Sequence, residues 1–273
     1  MRPTLDELVD RAQRGDKDAL EQVVREIQDR VHRLAIRFLA VSDDALSATQ
    51  EILILVVTKL STFRGESSFQ TWVYRVAVNY LLSAKRAQRP SLTFEAFGQD
   101  LASGLVAQTG PEDRVMLNEL RVSCTMAMLV ALEPAARVAY VLGDILELEH
   151  QEAATALGIA PAAFRKRLSR ARGAVVEFTT KHCGVVNPNA ACHCPRRLPA
   201  AIQAKRVRPG RVVYARDDGP SYDEALRSAR AVEGSLVTLK AQQATSTFPC
   251  PEDLAARISE LVAVRSENAA TLD

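Results

Sequence analysis

The stretch "EHQEAATALGIAPAAFRKRLSRAR", residues 149–172, decides the fold because it has the layout of a helix-turn-helix. A short helix is predicted to end at Leu157, and Gly158 can adopt the left-handed conformation that closes it. Pro161 suits the first turn of a second helix, where a missing backbone N–H is tolerated. That second helix has one apolar face, which consists of Phe164, Leu168, Ala171, Val175 and Phe178.

The other side of the second helix is cationic. Lys166, Ser169 and Arg170 lie roughly opposite the apolar face, and Arg165 and Arg172 flank it. A helix with one buried face and one free cationic face suits the major groove, because Arg and Lys neutralise phosphates and Arg can contact guanine bidentately. A solvated basic surface helix is the alternative, and the turn in front of the helix favours DNA binding.

Helical spacing extends through most of the chain. Apolar residues recur at three- and four-residue steps from Leu5 to Leu60 and again from about Glu112 to Lys181. The β-branched run Ile52–Val57 could form a strand, but it lies in a long segment that begins with helix-start residues at Ser42, so we predict helix. The predicted fold class is mainly α, with two small helical domains joined by a flexible linker and a small mixed C-terminal extension.

Composition predicts the domain boundaries and the compartment. We expect a first domain over 1–88, a linker containing Pro, Gly and Ser over 89–111, a second domain over 112–181 and an extension over 182–273. Net charge is only +2, so attraction to nucleic acid must come from local basic patches. No apolar run approaches the roughly 20 residues of a membrane span, which predicts a cytoplasmic protein without membrane attachment.

The second informative stretch is "TFRGESSFQTWVYRVAVNY", residues 62–80, which contains five of the 14 aromatic residues. Aromatic rings can stack on unpaired bases, which contributes about 1 to 3 kcal/mol per base. Three of these aromatic residues also occur, together with Val76, at the spacing of a helix core: Phe69, Trp72 and Tyr80. A core does not explain the polar run "RGESS", nor Arg75 and Asn79 one turn apart, so we expect those groups to meet a ligand.

A Cys/His cluster begins the predicted extension. The segment "KHCGVVNPNAACHCPRR" offers Cys183, Cys192 and Cys194 as candidate metal ligands, with His182, His193 or the distant Cys250 as further donors. Such donors suit zinc or another transition metal such as copper. The spacing C-x8-C-x-C is not that of standard zinc fingers, so a redox role, or cysteines that are merely structural or exposed to solvent, stays open. Cys124 lies on an apolar helical stripe and is expected in the core.

Two longer stretches resemble a known family. "DALSATQEILILVVTKLSTFRGESSFQTWVYRVAVNYLLSAKR" is similar to the second conserved region of bacterial sigma factors of the extracytoplasmic-function class. "LEPAARVAYVLGDILELEHQEAATALGIAPAAFRKRLSRAR" resembles the fourth region of the same class. The resemblance implies a protein that is not an enzyme, binds core RNA polymerase, and directs promoter recognition, DNA melting and transcription initiation.

The resemblance also implies roles for individual residues. Those matching the core polymerase contact are Asp44, Gln50 and Glu51. Those matching the contact to the melted strand of the minus-ten element are Arg64, Gly65, Glu66, Ser67, Ser68, Phe69, Trp72, Arg75 and Asn79. Those matching the duplex contact at the minus-thirty-five element are Arg165, Lys166, Arg167, Ser169 and Arg170. An anti-sigma factor is a further candidate partner, and the extension is hypothesised to regulate promoter opening.

Two other function classes compete with this interpretation. A metal- or redox-responsive helix-turn-helix regulator would bind duplex DNA without polymerase, but it would not need the region from Asp43 to Asn79. A nucleic-acid-processing enzyme would use the Cys/His cluster for hydrolysis. That cluster has no conspicuous carboxylate base nearby and is too rich in cysteine for an open catalytic site.

Overall fold

The computed structural model describes residues 3–83, 92–105, 114–214, 221–232, 235–243 and 248–258. Across these residues the chain is helical and forms no strand, which confirms the mainly α fold class. The helices are α1 (Leu5–Gln13), α2 (Lys17–Leu39), α3 (Ser42–Thr58), α4 (Phe69–Leu82), α5 (Phe94–Ala102), α6 (Arg114–Ala131), α7 (Pro134–Tyr140), α8 (His150–Leu157), α9 (Pro161–His182), α10 (Cys194–Gln203), α11 (Tyr222–Arg230) and α12 (Ser235–Gln243).

The chain divides into two compact units. The first unit combines the described residues of 1–87, 149–161 and 248–273, and the second those of 88–148 and 162–247. Helix α8 therefore belongs with α1 to α4, although it follows them by many residues in sequence.

Short polar side chains determine where the first helices begin. The Thr4 hydroxyl accepts a hydrogen bond from the Glu7 N–H at 3.3 Å, while the Glu7 carboxylate accepts one from the Thr4 N–H at 2.8 Å. This reciprocal pair is a capping box. The Asp16 carboxylate caps α2 by accepting from the Ala19 N–H at 3.0 Å. Each cap satisfies a backbone donor that has no partner inside its helix.

Helix α2 is the centre of the first unit and packs against α1, α3 and α4. Its buried apolar residues follow helical spacing and include Val23, Val24, Ile27, Val31 and Leu34. Ile52 and Leu53 are fully buried, and the β-branched run at 52–57 lies inside α3, so it is helical as predicted. Burial of such side chains contributes about 1.5 to 3 kcal/mol each.

Helix α6 is the centre of the second unit and packs against α5, α7, α10 and α11. All five residues predicted for the apolar face of α9 are buried in this unit. The described part of the extension consists of α10 to α12, helical residues at 255–258 and two isolated backbone bridges. The extension that we expected to be mixed forms no strand among its described residues, where its regular structure is helical and is joined by turns and loops.

Helix α5 lies within the segment predicted as a flexible linker, where no helix was predicted. The Thr93 hydroxyl caps this helix by accepting from the Ala96 N–H at 3.1 Å. Phe97 and Leu101 are buried in a cluster with Met128 and Phe178. Residues 89–91 and 106–111 of the predicted linker lie outside the described residues.

A π-helical turn at Val141–Ile145 leads from α7 toward the helix-turn-helix. The Leu146 N–H donates to the Val141 carbonyl at 2.8 Å. This hydrogen bond spans five residues, whereas a hydrogen bond in an α-helix spans four. Gly143 of this turn faces α9. A Cβ atom placed on it would lie 2.9 Å from Leu168 Cδ2 and 3.1 Å from Phe164 Cζ.

We therefore expect Gly143→Ala to destabilise the protein by about 1 to 3 kcal/mol, because the added methyl overpacks a filled site. Urea unfolding followed by circular dichroism measures the free energy. Gly173→Ala is the matched control, since a Cβ there meets nothing within 4 Å. Inside α9 that change should stabilise the helix by about 0.5 to 1 kcal/mol. Equal stabilities for the two variants would contradict the close packing at Gly143.

Candidate nucleic-acid interface

The polar run at 64–68 forms a loop between a short 3-10 turn (Leu60–Thr62) and α4. Gly65 turns the chain with a φ of 73°, a conformation that favours glycine. Ser68 ends the loop, and its hydroxyl caps α4 by accepting from the Thr71 N–H at 3.1 Å. Arg64, Glu66 and Ser68 are exposed, so the loop presents polar groups at the surface.

Three aromatic rings pack together beneath this loop. The ring centroids of Phe63 and Phe69 are 5.3 Å apart, and Trp72 lies 5.6 Å from Phe63 and 5.7 Å from Phe69. Phe69 is only 1% exposed, so its ring belongs to the core. Phe63 and Trp72 are both partly exposed, so the cluster reaches from the core to the surface, and Trp72 does so on α4. Base contact by Phe69 stays a prediction that would require its ring to leave the core.

Arg75 and Asn79 are both exposed on α4, one helical turn apart. The Arg75 guanidinium donates two hydrogen bonds to the backbone carbonyl of Thr155 in α8, at 3.1 Å from Nε and 2.9 Å from Nη2. Helices α4 and α8 pack against each other within the first unit. A side chain predicted to meet the melted strand is thus engaged by the helix that begins the predicted helix-turn-helix.

The residues predicted to contact core polymerase lie on α3. Glu51 is exposed, and Asp44 and Gln50 are partly exposed. The other side of α3 is packed against α2 and α4 through Ala45, Ala48, Ile52 and further buried residues. The helix therefore offers a polar side for a partner.

The turn before α9 has the predicted local geometry. Gly158 closes α8 with a φ of 65°, and α9 begins at Pro161. On α9 the predicted duplex contacts Arg165, Lys166, Ser169 and Arg170 are exposed, and Arg167 is partly exposed. The structure thus leaves the cationic side of α9 available to phosphates and base edges.

Arg172 has a structural role that the sequence analysis did not assign. Its Nε and Nη2 atoms donate to the Asp144 carboxylate at 2.7 and 2.5 Å. The Asp144 side chain is only 2% exposed. This two-point ion pair joins α9 to the π-helical turn, and it raises the pKa of Arg172 through the hydrogen bond to Asp144.

Three cysteines of the extension line a cavity together with a fourth cysteine from α6. Cys183, Cys192 and Cys194 line it together with Cys124 of α6. Burial raises the pKa of each of these four thiols, and for Cys192, where the neighbouring Cys183 adds to the effect, it reaches about 11. None of the chain's five cysteines forms a disulfide.

The other predicted metal donors do not line this cavity. The His182 ring packs on Phe178 with centroids 4.9 Å apart, and the His193 ring lies against Gly184. Cys250 belongs to the first unit, where its N–H donates to Asp29 at 2.8 Å. Among the described residues, no group of three or more Cys, His, Asp or Glu side chains is arranged to hold a metal ion as it stands.

A helix that crosses a membrane needs about 20 mostly apolar residues. Within the part of the chain that the structure describes, no helix combines the length and hydropathy required to cross a bilayer.

Comparisons with known proteins match both halves of the candidate interface. The family model "Sigma-70 region 2" matches residues 23–90, and "Sigma-70, region 4" matches residues 123–175. The first match includes α3, the polar loop and α4, and the second includes α8 and most of α9. The solved structure of CnrH in complex with the cytosolic domain of CnrY is similar at a TM-score of 0.45 and 21% identity, covering 61% of this chain and 91% of that chain.

Whole relatives match in the same way. The RNA polymerase sigma-H factor of Pseudomonas aeruginosa is 30% identical, over 62% of this chain and 90% of its own length. The ECF RNA polymerase sigma-E factor of Escherichia coli K12 is 33% identical, again over 62% of this chain and 90% of its own length. The chain therefore belongs to the extracytoplasmic-function class of the sigma-70 family, whose members bind core RNA polymerase and recognise promoter DNA.

Proposed function

We propose that promoter recognition is divided between the two surfaces described above. The loop Arg64–Ser68, together with Trp72, Arg75 and Asn79, would hold the melted strand of the minus-ten element. The exposed cations Arg64 of the loop and Arg75 of α4, together with the partly exposed indole of Trp72, support this. Stacking and phosphate contacts together bind single strands. These contacts would offset the few kcal/mol needed to unstack a base and so make melting selective.

The exposed face of α9 would read the minus-thirty-five element as duplex. Arg165, Lys166 and Arg170 supply cations for phosphates or guanine edges, and Ser169 a hydroxyl beside them. Asp44, Gln50 and Glu51 would contact core polymerase from α3. Polymerisation itself would be carried out by that partner, so the protein would have no catalytic site of its own. We place it in the cytoplasm because its partner and its DNA are there.

We further propose that the extension restrains the sigma core. The observation that carries this is the packing of residues 248–258 on α2 in the first unit. The Cys250 N–H donates to Asp29 at 2.8 Å, and the Leu254 N–H donates to Gln28 at 3.0 Å. Phe248 is 5% exposed and lies over the Arg37 guanidinium at 5.1 Å.

Contacts in the second unit support the same proposal. The Gln243 amide of α12 donates to the Asp144 carbonyl at 2.9 Å and to the Glu147 carboxylate at 2.8 Å. The hydroxyls of Thr179 in α9 and Thr238 in α12 lie 2.8 Å apart, and both are buried. The extension therefore contacts residues within or beside both family-matched regions. It would do in cis what a separate anti-sigma factor, a further candidate partner, would do in trans.

An alternative proposal, a helix-turn-helix regulator that acts without polymerase, accounts for less of the chain. It leaves unexplained the family match over residues 23–90, which includes the helix predicted to contact polymerase. The sigma factor assignment explains both matched regions.

Weakening the tail contact tests the restraint. We expect Phe248→Ala with Leu254→Ala to raise run-off transcription several-fold, because it removes roughly 2 to 4 kcal/mol of apolar packing that holds residues 248–258 on α2. The assay uses the full chain, core RNA polymerase and a promoter template, with core binding measured separately by fluorescence anisotropy.

Leu236→Ala is the matched control, since Leu236 is a leucine of the same extension that is 54% exposed. It should leave transcription unchanged. A fall in transcription by the double variant, with core binding intact, would show that the tail supports activity and would overturn the proposed restraint.

A further inference from the structure

Four cysteines from three separate segments meet at one cavity of the second unit. Cys124 comes from the middle of α6, Cys183 directly follows α9, Cys192 lies in the loop after it, and Cys194 begins α10. The cavity measures about 50 Å³. That is room for one ion, since a water molecule in the liquid occupies about 30 Å³.

The backbone fixes two of these cysteines beside each other. Cys183 and Cys192 form an isolated parallel bridge, in which the Gly184 N–H donates to the Cys192 carbonyl at 2.8 Å. The Cys183 N–H in turn continues α9 by donating to Thr179 at 2.9 Å. The bridge therefore holds the two backbones beside each other, and both side chains line the same cavity.

The remainder of the cavity wall is suited to a soft, desolvated ion. It is mostly apolar and includes Phe97, Leu101 and Phe178 together with the thioether of Met128. Thiolates and thioethers prefer Cu(I), Zn(II) and similar ions over hard cations that need oxygen ligands. Arg121, which is 5% exposed, also lines the cavity and lies close enough to Cys194 to compensate the charge of a thiolate.

The arrangement of the candidate donors favours coordination by two thiolates over a tetrahedral site with four ligands. No three candidate donors among the described residues are positioned for a metal as they stand, whereas a tetrahedral zinc site needs four ligands. A monovalent d10 ion can be held by two thiolates, and the bridged Cys183 and Cys192 supply such a pair. Cys124 and Cys194 line the same space and could complete a higher coordination number by side-chain rotation.

We propose that the four-thiol cluster of Cys124, Cys183, Cys192 and Cys194 binds one thiophilic d10 metal ion, with Cys183 and Cys192 as its primary ligands. Each coordinating thiol releases its proton to solvent, and no electron transfer is involved. His182, His193 and Cys250 are not ligands. This site is independent of the proposed restraint by residues 248–258, since metal binding is measured without polymerase or DNA.

The position of Cys124 gives the site its significance. Cys124 lies inside the segment matched by Sigma-70 region 4, whereas the other three cysteines follow it. An ion held by both groups would join the extension directly to the matched region. The extension would then be more firmly attached when the ion is bound.

The experiment equilibrates purified, reduced full-length protein with Cu(I), Ag(I) or Zn(II), each in competition with a chelator of known affinity. Metal content is measured by mass spectrometry of the desalted protein, and thiolate coordination by ultraviolet charge-transfer absorption. We expect one ion per chain, with Cys183→Ser and Cys192→Ser abolishing binding and Cys124→Ser weakening it about tenfold or more.

Cys250→Ser and His193→Ala are the matched controls and should bind as the wild type does. Circular dichroism shows which variants are folded. The proposal is overturned if the wild-type chain binds none of the three ions. It is also overturned if folded Cys183→Ser and Cys192→Ser bind normally, or if binding requires His193 and is indifferent to Cys124. These outcomes leave the assignment as a sigma factor untouched.

Discussion

Replacing Asn79 by alanine is expected to slow promoter opening about tenfold while binding to core RNA polymerase stays unchanged. Asn79 is exposed on α4, so its removal would take away the proposed contact to the melted strand and leave the packing of the helix intact. Glycine at Glu66, Ser67 and Ser68 should have a similar effect, because the loop would lose its side chains. Losing the Ser68 cap to glycine costs only a few tenths of a kcal/mol.

Permanganate reactivity of unpaired thymines measures opening, and anisotropy of labelled protein measures core binding. Asn189→Ala is the control, because Asn189 is an exposed asparagine of the extension, and it should leave both quantities unchanged. An equal loss of opening and core binding in Asn79→Ala would assign the residue a folding role instead of a DNA contact.

Arg172→Ala is expected to destabilise the protein by about 3 kcal/mol, because it leaves the buried Asp144 carboxylate without its cation. The Asp144 side chain is 2% exposed and receives two hydrogen bonds from Arg172. Urea unfolding provides the measurement. The loss should appear whether or not DNA is present, since the ion pair lies between α9 and the π-helical turn.

Arg170→Ala is the matched control, because Arg170 is an exposed arginine two positions away on the same helix. It should change stability by less than about 0.5 kcal/mol and weaken binding to minus-thirty-five duplex about tenfold. The two variants thus distinguish Arg172, which is expected to stabilise the fold, from Arg170, which is proposed to contact the minus-thirty-five duplex. If Arg172→Ala were as stable as Arg170→Ala, the buried ion pair would contribute little.

The sequence predicted the helices well where apolar residues recur along one face of the helix. The apolar face of α9 is buried at every predicted position, because 3.6-residue periodicity directly reports which side meets a core. Gly158 and Pro161 placed the turn for equally local reasons. In α4 the prediction was less accurate, since Tyr74 and Val78 are buried while Trp72 and Tyr80 are only partly so.

Contacts between segments that are far apart in the sequence could not be predicted from such local patterns. The partner of Arg75 is a main-chain carbonyl of α8, and every residue type has such a group. Cys124 was expected in the core, and the sequence around it gives no sign that it lies near the thiols of the extension. Helix α5 was missed because Gly98 and the surrounding Pro, Gly and Ser residues outweighed the spacing of Phe94, Phe97 and Leu101.

The docking of residues 248–258 on α2 has a consequence for the order of synthesis. Roughly 160 residues separate the last residue of the N-terminal segment of that unit from Phe248. Ribosomes add about 5 to 20 residues per second, so α2 can fold with its neighbours about 10 to 30 s before its covering tail exists. A newly made chain therefore passes through a period in which this face is open to a partner, and each molecule loses that access once residues 248–258 have been made and have docked.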